Sequence, residues 1–514
     1  SRRNLCCVHS WRVAKSYVPF PPLHTTSMAA TERTPLSGVS AEKIQVCVDE
    51  VWKPAPLVPS TLCHGCFLVS SPKVPWRSRR IILGVALLVA TNAMGLFAPI
   101  YTQEPYLGDC AAFPGALPQT GRTSVAYAFE LCGAEGQLQV AVLNQLTMAG
   151  AFIGVLVGGS LADLIGRYKT CAIISCLNVL AIAGSAIAPS YSVYAACRFL
   201  IGAGCIGAAV PSFAIATEWI PRGWKIPIGV ALVNGSSYVF GEILDVVLAL
   251  FFENWRHFTV AVLVVVSVFT FLGLILIEES PQWLATKPGR EKEAFALLGL
   301  DIDTVDTLAT DVQEGGETND VVPEVPDAEL VYLRLVTWAM AFCWFTASMT
   351  YFGISLAISG LKGNTYVSAT LSGLSEVPAT MLAVYLLQEP AIGRSSGNAM
   401  LFKGAAVACF FMYFVVDSAI GCILCMMVGK ACVTACFSGL YGYTAELYVA
   451  ARRGSGMALC SAMGRVGAFL APLLTAFLPT ALMYMVIGSL AAIAAYVCQN
   501  VLPETGCVRT KPKT

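Results

Sequence analysis

The sequence predicts an all-α polytopic membrane protein, with twelve transmembrane helices arranged as two pseudo-symmetric six-helix bundles. Three observations predict this fold class: an apolar composition, a series of apolar runs long enough to cross a bilayer, and an internal repeat. Together they indicate a chain whose two halves arose by duplication and lie side by side in lipid.

The composition is too apolar for a soluble protein of this size. Of the 514 residues, 56% are hydrophobic and 12% are charged, whereas soluble domains are about 25% charged. We therefore expect the lipid bilayer to cover part of the surface. A formal net charge of +0 argues against a nucleic acid partner. We find no nucleophile–base set, metal cluster or phosphate loop, so we expect neither an enzyme nor a cofactor nor a bound metal.

Twelve apolar runs follow residue 80, each close to the roughly 20 residues that span a bilayer. The gap at 278–332 divides them into an N-terminal bundle, 81–277, and a C-terminal bundle, 333–502. Within that gap, residues 301–329 are acidic and contain no Lys or Arg, which is typical of a solvated tether. The predicted spans are 81–102, 138–160, 170–188, 192–217, 226–250, 257–277, 333–358, 366–388, 398–416, 419–444, 455–477 and 480–501.

The segments outside the spans predict the orientation. Residues 1–80 are expected to be a disordered tail, in which the basic stretch 1–27 is a transit peptide or sequence upstream of a start at Met28. Lys and Arg collect in alternate connections, and cytoplasmic loops carry the excess of these residues. Both tails, 1–80 and 503–514, and the central loop 278–332 are therefore expected in the cytoplasm, with the plasma membrane as the favoured location.

Short motifs recur at an offset of about 226 residues, each after the equivalent span of its half. Several ordered matches at one offset indicate duplication, and two halves that face each other suit alternating access. The matched positions are Gly166-Arg167 with Gly393-Arg394, Glu218 with Glu446, Lys225 with Arg453, and Glu279 with Glu504.

The loop after the second span, around Asp163, resembles the signature G-x-x-x-D-x-x-G-R-x-[KR] of the major facilitator superfamily. The resemblance implies a conformational latch, in which charged hydrogen bonds hold neighbouring helix ends together. The alternative is positive-inside anchoring alone. Pro390 stands where the second half should repeat Asp163, so that copy is expected to be degenerate. The predicted latch residues are Asp163, Gly166, Arg167, Glu218, Glu279, Arg394, Glu446, Arg453 and Glu504.

Four further segments, 344–353, 374–379, 443–448 and 463–467, resemble the seventh, eighth, tenth and eleventh spans of solute carrier family 22. The resemblance covers roughly residues 75–507. It implies a transporter of small organic ions that works by facilitated diffusion or exchange, and we expect it to act as a monomer. The chain departs from the family in its outer loop, 103–137, which is short and has no N-x-[ST] glycosylation sequence.

Ionisable residues inside a membrane are candidates for function because their burial is costly. Arg465 lies mid-span in the eleventh helix, and a basic residue at this position in the family implies organic anions, whose carboxylate or sulfonate matches the planar guanidinium. The alternative is a structural pair with Glu376, and substrate can also compete with Glu376 for Arg465. Side chains that complete the predicted substrate site are Tyr351, Phe352, Phe437, Trp344, Asn92 and Tyr238, although each can also serve only in packing.

Glu242 and Asp245 lie three residues apart on the fifth span and therefore share a helix face. They are predicted either to bind a coupling ion or to pair with Lys430 of the tenth span. Two other functions remain open at this point. One is a proton- or sodium-coupled porter of a neutral solute such as a sugar, and the other is a membrane sensor that transports nothing.

Two cysteines stand apart from the apolar runs. Cys110 and Cys132 lie in the outer loop, and a disulfide between them is expected if that loop faces an oxidising compartment. The C-x-x-C pair at Cys63 and Cys66 lacks a second pair nearby, so we do not expect zinc there.

Overall fold

The structure is a computed structural model that describes most of the predicted bundles and parts of the loops. The described ranges are 76–103, 123–220, 235–285, 287, 290–298, 327–360, 365–388, 392–447 and 450–505. Within them the chain forms sixteen α-helices, and the one β-bridge joins Thr123 and Asn254. The predicted all-α fold is therefore confirmed.

The first half contains the helices of the first six spans and two short connecting helices. Asn254 caps the last of them by accepting a hydrogen bond from the backbone N–H of Arg256. The bounds are α1 Trp76–Phe97, α2 Pro99–Thr102, α3 Val125–Ala128, α4 Gly133–Ile165, α5 Arg167–Ala186, α6 Tyr191–Trp219, α7 Ser237–Phe251 and α8 Trp255–Leu276.

The second half contains the other six spans and follows two short helices, α9 Pro281–Ala285 and α10 Glu291–Leu298. Pro378 and Pro472 lie inside long helices of this half. The bounds are α11 Asp327–Leu356, α12 Thr365–Gln388, α13 Arg394–Val415, α14 Ala419–Leu447, α15 Ala450–Phe477 and α16 Thr480–Asn500.

Eleven helices of the described part are long and apolar enough to cross a membrane. The fifth predicted span, 226–250, is represented by α7, which begins at Ser237, and residues 221–234 lie outside the described ranges. The twelve-helix count is consistent with this structure.

Several helices extend beyond the predicted spans. The first begins at Trp76, inside the tail predicted to be disordered, because Arg77 and Arg80 form ion pairs with Glu278 at the end of the sixth span. The predicted central loop, 278–332, contains α9 and α10, and its last residues belong to α11. The rest of the predicted tether, 301–326, lies outside the described residues.

A stripe of glycines on α4 lies directly against the backbone of α6. A methyl group added at any of the three positions would overlap backbone atoms, so the stripe packs tightly against this helix. The facing pairs are Gly150 with Phe199, Gly154 with Ala203, and Gly158 with Gly207.

The two halves touch each other at several depths along the spans. Aromatic rings make contacts near both ends, so the polar side chains between them are enclosed. The ring pairs across the halves include Tyr101 with Tyr366, 5.9 Å between centroids, Phe97 with Phe352, 6.5 Å, Phe97 with Tyr351, 6.3 Å, and Phe213 with Tyr441, 6.2 Å.

Candidate functional site

The predicted latch of the first half gathers four helix ends. Arg167, the first residue of α5, lies 3.0 Å from Asp163 and 3.7 Å from Glu218. The Glu279 carboxylate accepts hydrogen bonds from the backbone N–H groups of Arg167, at 2.9 Å, and Tyr168, at 3.1 Å. A carboxylate at this position satisfies the free N–H groups at the start of a helix and complements its dipole.

The second half repeats this arrangement. Arg394, the first residue of α13, lies 3.1 Å from Glu446. The Glu504 carboxylate accepts hydrogen bonds from the backbone N–H groups of Arg394 and of Ser395, the latter at 3.1 Å. The second copy lacks the acid of the first, because its position is occupied by Pro390, which lies outside the described residues. The Arg–Glu pair and the capping carboxylate are present.

The contacts described for the two latches include Arg167 with Asp163 and Glu218 in the first half, and Arg394 with Glu446 in the second. These contacts hold the helix ends of each half together. Arg453 lies on α15, but its side chain is not among those that the structure describes.

An ion triad lies mid-span between the two halves. The Lys430 ammonium is 2.8 Å from a Glu376 oxygen and 3.1 Å from a Glu242 oxygen. All three residues are buried, with 1% of Lys430, 6% of Glu242 and 2% of Glu376 exposed. Glu242 belongs to the first half and the other two to the second, so the triad bridges the halves.

Aromatic rings surround the same ammonium group. The Nζ atom of Lys430 lies 5.3 Å from the centroid of Phe97 and 5.1 Å from that of Tyr351, distances at which cations are attracted to ring faces. The Tyr351 hydroxyl donates a hydrogen bond to Glu376 at 3.1 Å, which fixes that carboxylate. Phe97 was absent from the predicted site, because an aromatic residue near the end of a span carries no distinctive sequence signal.

The pairing of Glu376 differs from the alternative considered for Arg465. Glu376 pairs with Lys430, while Arg465 forms no ion pair with any side chain in the described ranges. Its Nε atom is buried and lacks a hydrogen-bond partner. Helix rotation decides this outcome, since α14 turns Lys430 toward the same face of α12 that carries Glu376.

Arg465 is partly buried, and aromatic residues of both halves lie within electrostatic range of its charge. Its charge acts on the hydroxyl groups of Tyr238, from α7, and Tyr441, from α14. The Tyr441 ring is 4.6 Å from Trp344 and 5.7 Å from Phe437. This places a cationic group next to a wall of rings, with Tyr441 a member that the sequence did not suggest.

The remaining predicted substrate residues differ in whether their side chains already have partners within the protein. The Trp344 indole is buried and donates to Thr444 at 2.9 Å, so its polar group is already satisfied. Phe352 packs against Tyr351 at 5.3 Å. Asn92, on α1, is 2% exposed, and its amide nitrogen has no hydrogen-bond partner.

A second polar group lies in the first half. Asp245 is 0% exposed, and neither carboxyl oxygen has a hydrogen-bond partner. Its charge interacts with Arg198 of α6, which donates to Thr147 and to the backbone oxygen of Gly95, each at 3.2 Å, and keeps one free nitrogen. Arg198 was absent from the predicted site, because it lies near the start of its predicted span, 192–217.

Cys132 takes part in a disulfide. Its predicted partner, Cys110, lies outside the described residues, so the pairing stays a prediction.

Comparisons with known proteins agree with the fold. The family model described as "Sugar (and other) transporter" matches residues 111–510. Solute carrier family 22 member 15-like from Xenopus laevis is 30% identical over 388 residues, which cover 73% of this chain and 77% of the relative. Human organic cation/carnitine transporter 2 is 30% identical over 385 residues, covering 70% of this chain and 66% of the relative.

Among solved structures, the inward-open xylose transporter XylE from E. coli matches with a TM-score of 0.60 and 17% identity, covering 83% of this chain and 96% of that one. Fold and paired halves thus define a membrane transporter of the major facilitator superfamily. The chain belongs, within that superfamily, to solute carrier family 22. It is an integral multi-pass membrane protein that transports small organic substrates.

Proposed function

We propose that the chain carries small organic anions across the membrane by alternating access, with Arg465 as the group that binds the substrate. The observation that carries this proposal is the guanidinium of Arg465, which has no carboxylate partner among the described residues and a buried nitrogen without a hydrogen bond. A partly buried cation without an ionic partner is costly, and a carboxylate or sulfonate would supply the missing bonds.

The side chains around Arg465 suit a flat anion. Tyr238, Phe437 and Tyr441 offer ring faces for an aromatic or planar substrate. Elsewhere in the membrane region, on α1, Asn92 keeps an amide donor without a hydrogen-bond partner. Several similar proteins are named as organic cation or carnitine transporters, so family membership alone leaves the sign of the substrate charge open.

The transport cycle that we propose needs no catalytic step. The two bundles, 81–277 and 333–502, would rock against each other around the enclosed centre, by facilitated diffusion or exchange. The latches would keep each bundle rigid on its own side. We further propose that the chain works as a monomer in the plasma membrane, without a nucleic acid partner, and that both termini lie in the cytoplasm.

Replacement of Arg465 tests the anion site. In reconstituted vesicles, Arg465→Ala should lower the uptake of labelled benzenesulfonate at least about tenfold, because loss of one partner of a buried charge pair costs about 2 kcal/mol or more. Arg465→Lys should recover part of it. Arg334→Ala is the matched control, since Arg334 is exposed. Unchanged uptake in Arg465→Ala would contradict the anion assignment.

A second candidate function is ion-coupled transport, including that of a neutral solute, and Asp245 favours it. An ionised carboxylate without hydrogen bonds costs several kcal/mol in an apolar interior, so a proton or small cation at Asp245 would relieve that cost. The ionisable groups that act on it are Arg198, Glu242, Tyr101 and Cys205.

The coupling role is tested by proton flux. A pH-sensitive dye inside wild-type vesicles should report acidification when substrate is added outside, and Asp245→Asn should abolish that signal while substrate exchange continues. Glu253→Gln, at an exposed site just after α7, is the control. Absence of proton flux in the wild type, with a sodium gradient also without effect, would exclude coupling at Asp245.

A further inference from the structure

Four side chains enclose the ammonium group of Lys430. They are the carboxylates of Glu242 and Glu376 and the rings of Phe97 and Tyr351. We propose that this set, the ammonium cage, is a binding site for organic ammonium ions, which Lys430 fills as a tethered ligand. The inference rests on the proposed function in one respect. It explains the proposed preference for anions by the occupancy of the cage by Lys430.

The geometry of the cage is that of a ligand site rather than of a single ion pair. Lys430 has carboxylate oxygens at 2.8, 3.1 and 3.3 Å, which satisfy its donors, and two ring centroids at 5.1 and 5.3 Å. Carboxylates and ring faces together recognise alkylammonium groups in proteins. The Tyr351 hydroxyl bond to Glu376 holds one carboxylate in place before any cation arrives.

The cage is built from both halves of the molecule. Phe97 and Glu242 come from the first half, whereas Tyr351, Glu376 and Lys430 come from the second. When the halves part, the Lys430–Glu242 contact must break, while the contact with Glu376 can persist. The cage therefore assembles and comes apart as the halves move. Substrate sites of alternating-access transporters lie at the same place, between the two halves.

Charge explains the effect on selectivity. Two carboxylates with one ammonium leave the triad with a single net negative charge, and the tether prevents a free cation from entering. Arg465 is then the cation available to substrate. Removal of the Lys430 charge would leave two carboxylates beside the transport path, which attract cations and repel anions.

The inference predicts chemical rescue of Lys430→Ala. This substitution removes a chain of three carbons and an ammonium group. The probe n-butylammonium carries the same charge on an unbranched chain that is one carbon longer. By isothermal titration calorimetry on the purified full chain, Lys430→Ala should bind n-butylammonium at least about tenfold more tightly than the wild type does. Neutral n-butanol should show no such gain, because it cannot pair with the carboxylates.

The carboxylates provide the matched control. Lys430→Ala combined with Glu242→Gln and Glu376→Gln should lose the affinity for n-butylammonium, and retention of that affinity would overturn the cage. Equal binding by the wild type and Lys430→Ala would overturn it as well. If Lys430→Ala does not fold alone, its folded yield should recover with n-butylammonium. The double variant Lys430→Ala/Glu242→Gln keeps the Glu376 carboxylate and should still bind n-butylammonium. The proposal is also refuted if the folded yield of Lys430→Ala does not recover and the double variant does not bind.

Uptake in vesicles separates the selectivity claim from the proposed function. Lys430→Ala should raise the ratio of phenyltrimethylammonium to benzenesulfonate uptake at least about tenfold over the wild type. An unchanged ratio would refute the role of Lys430 in selectivity. Failure of the anion function would instead show as wild-type benzenesulfonate uptake that does not depend on Arg465, whatever n-butylammonium does.

Discussion

Two glycines begin the latches of the two halves with positive φ angles. Gly166 has φ +110° and Gly393 has φ +81°, and each precedes the helix whose first N–H groups are capped by an acidic side chain. A methyl group at either position would overlap the carboxylate of Glu279 or Glu504. Both the backbone angle and the close approach therefore require glycine.

Substitution of these glycines should lower stability. Gly166→Ala and Gly393→Ala are each expected to cost about 1–3 kcal/mol, since side chains strain a backbone with positive φ and would displace the cap. Thermal unfolding in detergent should show a midpoint several degrees lower for each. Gly442→Ala is the control, because no atom lies within 4 Å of a methyl group there. Equal midpoints for all three variants would show that the caps contribute nothing.

Residue-level chemistry could be predicted only in part. The rule that charges inside a membrane are functional candidates found Arg465, Glu376, Glu242 and Lys430 from the sequence. Their partners depend on how each helix is rotated about its axis, which hydropathy does not encode. For that reason the sequence left open whether Glu376 pairs with Arg465, and the structure pairs it with Lys430.

At the scale of helices, the ends of α5 and α13 are held in the same way. Both begin with an arginine that pairs with a glutamate at the end of the next helix, Glu218 or Glu446. Pro390 stands where the second copy should have an acid, and this loss suggested a broken latch. A motif comparison counts a missing acid as heavily as a missing arginine. The structure nevertheless pairs Arg394 with Glu446 and caps α13 with Glu504.

The two latches should consequently matter to a similar degree. Arg394→Ala should lower the free energy of unfolding about as much as Arg167→Ala, by about 1–2 kcal/mol, because a partly buried ion pair stabilises more than an exposed one. The unfolding midpoints of the two variants should therefore fall by similar amounts. Arg334→Ala, at an exposed site, should leave the midpoint unchanged. A loss confined to Arg167→Ala would restore the view that only the first half keeps a working latch.

At the scale of the whole molecule, the order and number of the spans followed from composition and from the offset of about 226 residues. These features can be predicted from the sequence because a span must be a long apolar helix to cross lipid, and duplication preserves the order of the loops. The contacts between the halves could not be predicted in this way. They join residues far apart in sequence, such as Glu242 and Lys430, whose proximity arises only when the two bundles pack together.

The most direct test of the account is the sign of the transported charge. Vesicles containing the wild-type protein should accumulate labelled benzenesulfonate saturably and faster than phenyltrimethylammonium, and Arg465→Ala should remove that advantage. Preference for phenyltrimethylammonium in the wild type, or benzenesulfonate uptake that persists unchanged in Arg465→Ala, would contradict the assignment of Arg465 as the anion-binding group.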